Sequence, residues 1–176
     1  PIGNQKYKGY IEDIHSSGQH LLGLITDILD LSKVEAGKTK LHEEDIDPVD
    51  IARACLSMVR SQARNNAIDL VLDIPDQLPW LFGDQLVLKQ IVLNLLTNAI
   101  KFSNEGGTVP LKGWSQTKSG FVFQVIDTGI GVALEDIPKI MQPFIQIESA
   151  MSRKHQGTGL GLPLVKRMVE LHGGSI

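Results

Sequence analysis

Two asparagines one helical turn apart, Asn94 and Asn98, sit inside the apolar stretch Leu93–Phe102, LNLLTNAIKF. At 100° per residue, Gln90 and Lys101 lie within about 40° of Asn94 on the same arc. Almost every other residue from Leu86 to Ile100 is apolar. The segment reads as a helix buried nearly all round, except for a stripe of three amides and one ammonium. Amides taken out of water need partners. Backbone and water would satisfy them, and so would a ligand or metal lying along the stripe. Two glycine clusters add to this. Asp127-Thr128-Gly129-Ile130-Gly131 follows an alternating apolar run. A carboxylate at a strand end can accept from an exocyclic amine, and the glycines let a ligand approach the backbone. Gly157–Pro163, GTGLGLP, precedes a helical segment whose free N–H groups and positive end favour phosphate. The spacing is G-x-G-x-G with no Lys-Ser or Lys-Thr after it, so it is neither a P-loop nor the dinucleotide fingerprint. Each cluster taken alone is equally an ordinary turn.

These groups need elements to hold them. Gln5 to Glu35 reads as one long helix. Tyr7, Ile11, Ile14, Gly18, Leu21, Ile25, Ile28 and Ser32 follow steps of four and three, the pattern of a helical bundle. EAGKTK breaks it near Gly37. Asp47-Pro48-Val49-Asp50 starts a second helix running to about Asn65, with an Asp cap and Pro in the first turn. Ile68–Ile74 alternates like a strand, and Pro75 and Pro79 mark a loop. Asp84 is placed to cap the asparagine helix. A weak strand is expected near Thr108–Trp114, where Pro110 suggests an edge or bulge, and a better one over Gly120–Asp127. A short helix over Leu134–Met141, a polar loop over Glu148–Gly161 and a last helix over Pro163–Leu171 complete the chain. Interleaved strands and helices predict an α+β, two-layer α/β sandwich, preceded by one bundle helix.

Composition narrows the function. The chain has 176 residues, net charge −3 and no sustained basic run, which argues against nucleic acid as a partner. Cys55 is the only cysteine, so no internal disulfide can form. No apolar run reaches membrane-spanning length, and a cytoplasmic setting is expected, which is compatible with a membrane-anchored parent protein. His15, His20 and His42 lack cysteine partners at zinc spacing.

The three motifs in this order are much more specific than any one. Asn-x-x-x-Asn on a helix, Asp-x-Gly-x-Gly after a strand and Gly-x-Gly-x-Gly before a helix resemble the ATP-binding domain shared by sensor histidine kinases, gyrases, ninety-kilodalton heat-shock chaperones and mismatch-repair ATPases, the Bergerat fold. Within that group the chain resembles a histidine kinase of two-component systems. NLLTNAIKFS matches the N box, DTGIG the first glycine box, QPFIQ (Gln142–Gln146) the F box, and GTGLGLPLVKRMVELHGG (Gly157–Gly174) the second glycine box and its helix. LLGLITDILDLSKVEAGK (Leu21–Lys38) resembles the second helix of the dimerisation bundle. The resemblance implies a partial bundle unit over residues 1–38 and an ATP-binding domain over 39–176. It implies that Asn98 supplies an oxygen to Mg²⁺ bridging the ATP phosphates, with Asn94 beside it and Lys101 near the phosphates. Asp127 would take the adenine amine, with Gly129 and Gly131 flanking the base. Gly157, Thr158, Gly159, Leu160 and Gly161 would form the hinge of a lid, on which Arg153 and Lys154 face either the γ-phosphate or solvent. Phe144 is expected to anchor the lid by packing.

Asn94 also bears on the reaction. ATP-hydrolysing relatives carry a Glu at the matching position, and an amide takes no proton at neutral pH. The expectation is phosphoryl donation to a histidine, with relay to a response regulator receiver domain and homodimerisation through the bundle helix of the parent. The alternatives are an ATPase or clamp of the same fold, or a docking module without kinase activity. The family's acceptor box, a His followed by an acid, Arg, Thr and Pro, is not in this chain. No catalytic residue is therefore assigned in it. His15, His20 and His155 lack that context, so the chain is not expected to phosphorylate itself. The family's terminal strands, which follow HGGSI, are also absent, so the sequence reads as a fragment.

Overall fold

The structure, a computed structural model, describes residues 5–37, 39–116, 120–147 and 157–176, and it divides into two units, one up to Thr39 and one from Lys40 onward. The first unit is helix α1, Gln5–Glu35. It ends at Gly37, whose φ of 62° is open to glycine and closes the last turn through a bond from its N–H to Val34 O. Tyr7, Ile11, Ile14, Leu21, Ile25 and Ile28 are exposed along it.

The second unit is built from two further long helices, a mixed sheet and a C-terminal helix. Helix α2, Pro48–Asn65, starts as its sequence dictates: Asp47 accepts from Val49 N at 2.8 Å and Pro48 occupies the first turn. Helix α3 spans Gln85–Phe102 and helix α5 spans Gly161–Leu171. A short 3-10 turn over Leu134–Asp136 leads into a single-turn helix α4, Ile137–Ile140. Strands β2 (Asp69–Asp73), β4 (Thr108–Gln116) and β5 (Gly120–Val125) form one sheet in the order β2-β4-β5. β2 runs parallel to β4 and β4 antiparallel to β5, so the sheet is mixed. α2 packs on α3 and β2, while α3 also touches β4, β5 and α5. The core lies between these layers, with Ile51, Cys55, Val92, Leu96, Ile100, Val109, Leu111 and Leu164 almost fully buried. Each such aliphatic side chain contributes about 1.5–3 kcal/mol.

Three local expectations need correction. Pro110 lies in the central strand of the sheet and not at an edge. It is tolerated because the β4–β5 ladder ends beside it, at Leu111↔Val125, and its carbonyl still accepts from Ile126 N at 3.1 Å. Helix α3 is not buried all round. Leu88, Ile91, Val92, Leu96, Ala99 and Ile100 form its inner face, but Leu86 is 77% exposed. A separate antiparallel pair, β1 (Glu43–Ile46) with β3 (Leu81–Asp84), was not anticipated, because neither four-residue strand is long enough to show a period.

Cys55 is free and buried, its Sγ 3.7 Å from Lys89 O. Burial pushes the thiol up to about 11, so it is protonated and behaves as an inert core residue. Asp84 is the buried charge of the unit, only 6% exposed. Burial would raise its carboxyl, but backbone N–H donors from His42, Val87 and Leu86 outweigh that and hold it below the usual carboxylate range.

Asp84 therefore links stability to pH. Its contribution is complete above the unfolded-state value of about 3.9 and is lost as pH falls through the lower folded value. Asp84→Asn should lower the stability measured by urea denaturation at pH 7 by about 1–2 kcal/mol, because three backbone N–H groups then face a neutral acceptor in place of a charged one. The gap between variant and wild type should narrow steadily on acidification below pH 4; a constant gap would show that the carboxylate charge is not what matters.

Candidate functional site

Helix α3 places Asn94, Asn98 and Lys101 on one half-buried strip. Asn94 Nδ2 donates back to Gln90 O at 3.1 Å, which turns its Oδ1 outward. A methyl group placed on Gly161, the first residue of α5, would lie 3.3 Å from that Oδ1 and 3.6 Å from Asn98 Nδ2. Both asparagine amides therefore meet the beginning of α5. One turn on, the Lys101 ammonium stands 5.1 Å from the centre of the Phe102 ring, and a methyl group on Gly157 would come within 2.9 Å of it. Burial lowers the Lys101 pKa from its ordinary value. An anion beside it would reverse that pressure.

The glycine loop is held from the QPFIQ side. Phe144 N donates to Gly159 O at 3.0 Å, and Gln146 Nε2 donates to Gly157 O at 2.6 Å. Gly159 has φ of 68°, and a Cβ there would lie 2.9 Å from the Phe144 carbonyl carbon. No other residue satisfies both constraints. Thr158 Oγ1 accepts from Leu160 N at 3.1 Å, and Leu160 is fully buried, fixing the entry into α5. Leu160 supplies no side-chain cap, Pro163 has no N–H and Leu164 N donates to Leu160 O, so among the described residues the N–H groups of Gly161 and Leu162 are the ones that the first turn presents to another acceptor.

The third element is the turn after β5. Asp127 Oδ1 accepts from Gly129 N at 2.9 Å, and the carboxylate retains acceptor capacity at a position exposed to solvent. Gly129 pairs with Ser103, immediately after α3. A side chain at 129 would overlap the Phe102 carbonyl. Asn104 Nδ2 donates to Thr128 O at 3.2 Å. The end of α3 and the Asp-Thr-Gly turn are thus sewn together, which places Asp127 at the end of the same helix that carries Asn94, Asn98 and Lys101. The Ser103 hydroxyl in this seam is buried and has no hydrogen-bond partner among the described residues.

Comparison with known proteins decides the family. Residues 83–176 match the family model described as histidine kinase-, DNA gyrase B- and HSP90-like ATPase. The chain belongs to this family. It is 47% identical over 177 residues to the non-motile and phage-resistance protein of Caulobacter vibrioides, covering 99% of this chain and 21% of that protein. It is 42% identical over 174 residues to the circadian input-output histidine kinase CikA of Synechococcus elongatus, covering 98% and 23%. Among solved structures, full-length ShkA in complex with AMPPNP superposes with a TM-score of 0.83 at 29% identity, over 97% of this chain and 35% of that one. The histidine kinase AdeS of Acinetobacter baumannii shares the fold, with a TM-score of 0.74 at 22% identity over 91% and 72%. The chain spans about a fifth of the length of these curated relatives.

Within this histidine kinase-like ATPase domain, the α3 stripe meets the Gly157–Gly161 loop along its length and the Asp127 turn at its C-terminal end. Gly131 adopts φ of 66° with nothing against it, so it serves backbone shape. Phe144 is 64% exposed, and its backbone, at φ of 65°, lies against Gly159. Arg153 and Lys154 lie outside the described residues. Two contributors were missed. Gln146 was noted only as part of a motif, and its bond to Gly157 O ties the loop down. His172 bonds the backbone of Asp84, a partner 88 positions away that no local pattern reveals.

Gly129→Ala should force the Phe102–Asp127 seam apart. Overpacking of this kind costs about 1–3 kcal/mol, readable as a lower urea midpoint with an unchanged slope. A midpoint equal to wild type would show that the seam has slack.

Proposed function

We propose that the chain is the ATP-binding core of a sensor histidine kinase, which donates the γ-phosphoryl group of ATP to a histidine outside this chain for relay to a response regulator. The observation that carries this reading is the convergence of Asn94, Asn98 and Lys101 on Gly157–Gly161 at the uncapped start of α5. Two amides, an ammonium and free backbone N–H groups form a cradle for an anionic ligand, with glycine wherever a side chain would fill it. The AMPPNP complex of the structural relative ShkA supports adenine nucleotide as that ligand.

Each residue then has a task. The first N–H groups of α5 and the Lys101 ammonium bind the phosphates, the latter as a point charge in a partly desolvated position. The Nδ2 of Asn98 is the amide atom on the Gly161 side, and its Oδ1 is the atom that would hold a metal. The donors suit Mg²⁺, a hard cation that binds oxygen, keeps several waters and is held in part by phosphate. When bound, it would neutralise charge on the β- and γ-phosphates. Asp127 accepts from the exocyclic amine of adenine while Gly129 N fixes the orientation of its carboxylate. Asn94 supplies no base to activate water, since an amide does not take up a proton near pH 7. ATP is therefore held for transfer to a positioned acceptor, and catalysis comes from alignment and charge. We place that acceptor on the bundle of the parent protein, which would dimerise through the apolar stripe of α1.

Two titrations test the assignment. Asn98→Ala should weaken Mg-ATP binding while changing ATP binding in chelator much less. Equal losses with and without Mg²⁺ would remove Asn98 from the metal.

Wild type should prefer ATP to GTP. Guanine offers a carbonyl where adenine offers an amine, so a carboxylate would face an acceptor. A lost hydrogen bond to a charged group is worth about 1.5–3 kcal/mol, roughly ten- to a hundredfold. Asp127→Ala should erase most of that preference in calorimetry. GTP binding wild type as tightly as ATP would take Asp127 away from the base.

A further inference from the structure

Helix α5 meets the cleft at one end only. At its other end, about 16 Å away for 11 residues, stands His172. Its Nε2 accepts from Asp84 N–H at 3.1 Å, and its Nδ1 lies 2.9 Å from Met168 O. A backbone N–H only donates, so Nε2 carries no proton, and Nδ1 must carry one and donate to Met168. Both ring nitrogens are committed and the ring has one orientation. Its space exists because residue 83 has no side chain: a Cβ on Gly83 would lie 3.2 Å from His172 Cδ2 and 3.1 Å from Leu88 Cδ1. The bonded residue, Asp84, is also the cap of α3, accepting from Leu86 N and Val87 N. His172 therefore joins the end of α5 to the start of the helix that carries the asparagines.

Between the asparagine amides at one end and His172 at the other, the buried side chains of the two helices are apolar. Leu160, Leu164, Val165 and Met168 are buried from the α5 side, and Leu88, Ile91, Val92 and Leu96 from α3. Apolar burial is non-directional. It holds α5 on α3 but distinguishes poorly between neighbouring axial positions. Gly161 must nonetheless sit within ordinary contact of both amides, and a shift of one ångström would close or open the cradle. The directional bond at His172 supplies the missing registration.

We propose that His172 is a positioning residue: it sets the register of α5 on α3 and so keeps Gly161 and the start of α5 in place against Asn94 and Asn98. This rests on the nucleotide reading of the cleft. His172 touches neither asparagine and acts through the helix.

The test compares wild type, His172→Ala, His172→Gln and Val109→Ala in the 176-residue chain, titrated with Mg-ATP at a temperature where all are folded. Gln keeps an acceptor oxygen near the Nε2 position. Val109→Ala is a core change in β4, outside both the asparagine strip and the glycine loop, that lowers stability. Loss of one neutral hydrogen bond corresponds to about three- to tenfold in affinity. His172→Ala should bind Mg-ATP weaker by that factor, His172→Gln within about twofold of wild type, and Val109→Ala as wild type. Unchanged affinity in His172→Ala, a loss in His172→Gln as large as in His172→Ala, or a loss of the same size in Val109→Ala would each overturn the proposal. A second measurement needs no variant. Coupling is reciprocal, so Mg-ATP should slow amide hydrogen exchange at Asp84 more than at Leu72 in β2; equal slowing would overturn it. Failure of wild type to bind Mg-ATP at all would appear in the first titration and would sink the nucleotide reading itself.

Discussion

A single buried carboxylate organises the larger unit. Asp84 receives backbone N–H groups from Leu86 and Val87 at the start of α3 and from His42 just before β1, while its own N–H goes to His172 at the end of α5. Three chain segments separated by up to 130 positions are thereby fixed to one point. A charge with so little exposure survives because its oxygens are satisfied by donors. Its worth lies in specificity as much as in stability. The cap fixes where α3 begins and therefore which residues face the cleft. A helix starting one residue later would turn Asn94, Asn98 and Lys101 by about 100°.

The proposed nucleotide site is assembled from two elements. One is a polar strip on α3; the other is a glycine loop some sixty positions later in the chain. Glycine is required there for two distinct reasons. At Gly159 the backbone is left-handed and pressed on Phe144, so a side chain is excluded by conformation and by space. At Gly161 and Gly157 a side chain would occupy volume in front of amides and an ammonium, and glycine keeps that volume clear. Electrostatics agree with this division. Lys101 is partly desolvated and its pKa is lowered, an arrangement that strengthens interaction with an anionic ligand.

The same economy appears in how the loop is anchored. Phe144 and Gln146 on one side and Gly157 and Gly159 on the other are joined by two hydrogen bonds, so the two ends of the intervening segment are held together. An exposed phenylalanine with a left-handed backbone is strained for an L-residue. Here the backbone geometry, and not the ring, carries the contact.

Much of this was legible from the residues alone. Caps and periodicity are local physics: Asp47-Pro48 and Asp84 announced two helices, steps of four and three announced α1, and alternation announced β2. The amide stripe was legible because helical geometry converts spacing into direction without reference to anything else. The ordered set of asparagine and glycine boxes carried the family. What the sequence could not decide was every feature that depends on which distant segment lies alongside. Pro110 looked like an edge signal, because a missing donor is harmful only where a partner strand continues, and the β5 ladder stops there. β1 and β3 were invisible, since strands of four residues are defined by their pairing. Leu86 looked buried because apolarity does not say which face a neighbour covers. His172 read as part of a helix stop; its role follows from a bond to a backbone 88 positions away, and a backbone N–H leaves no mark on side-chain pattern.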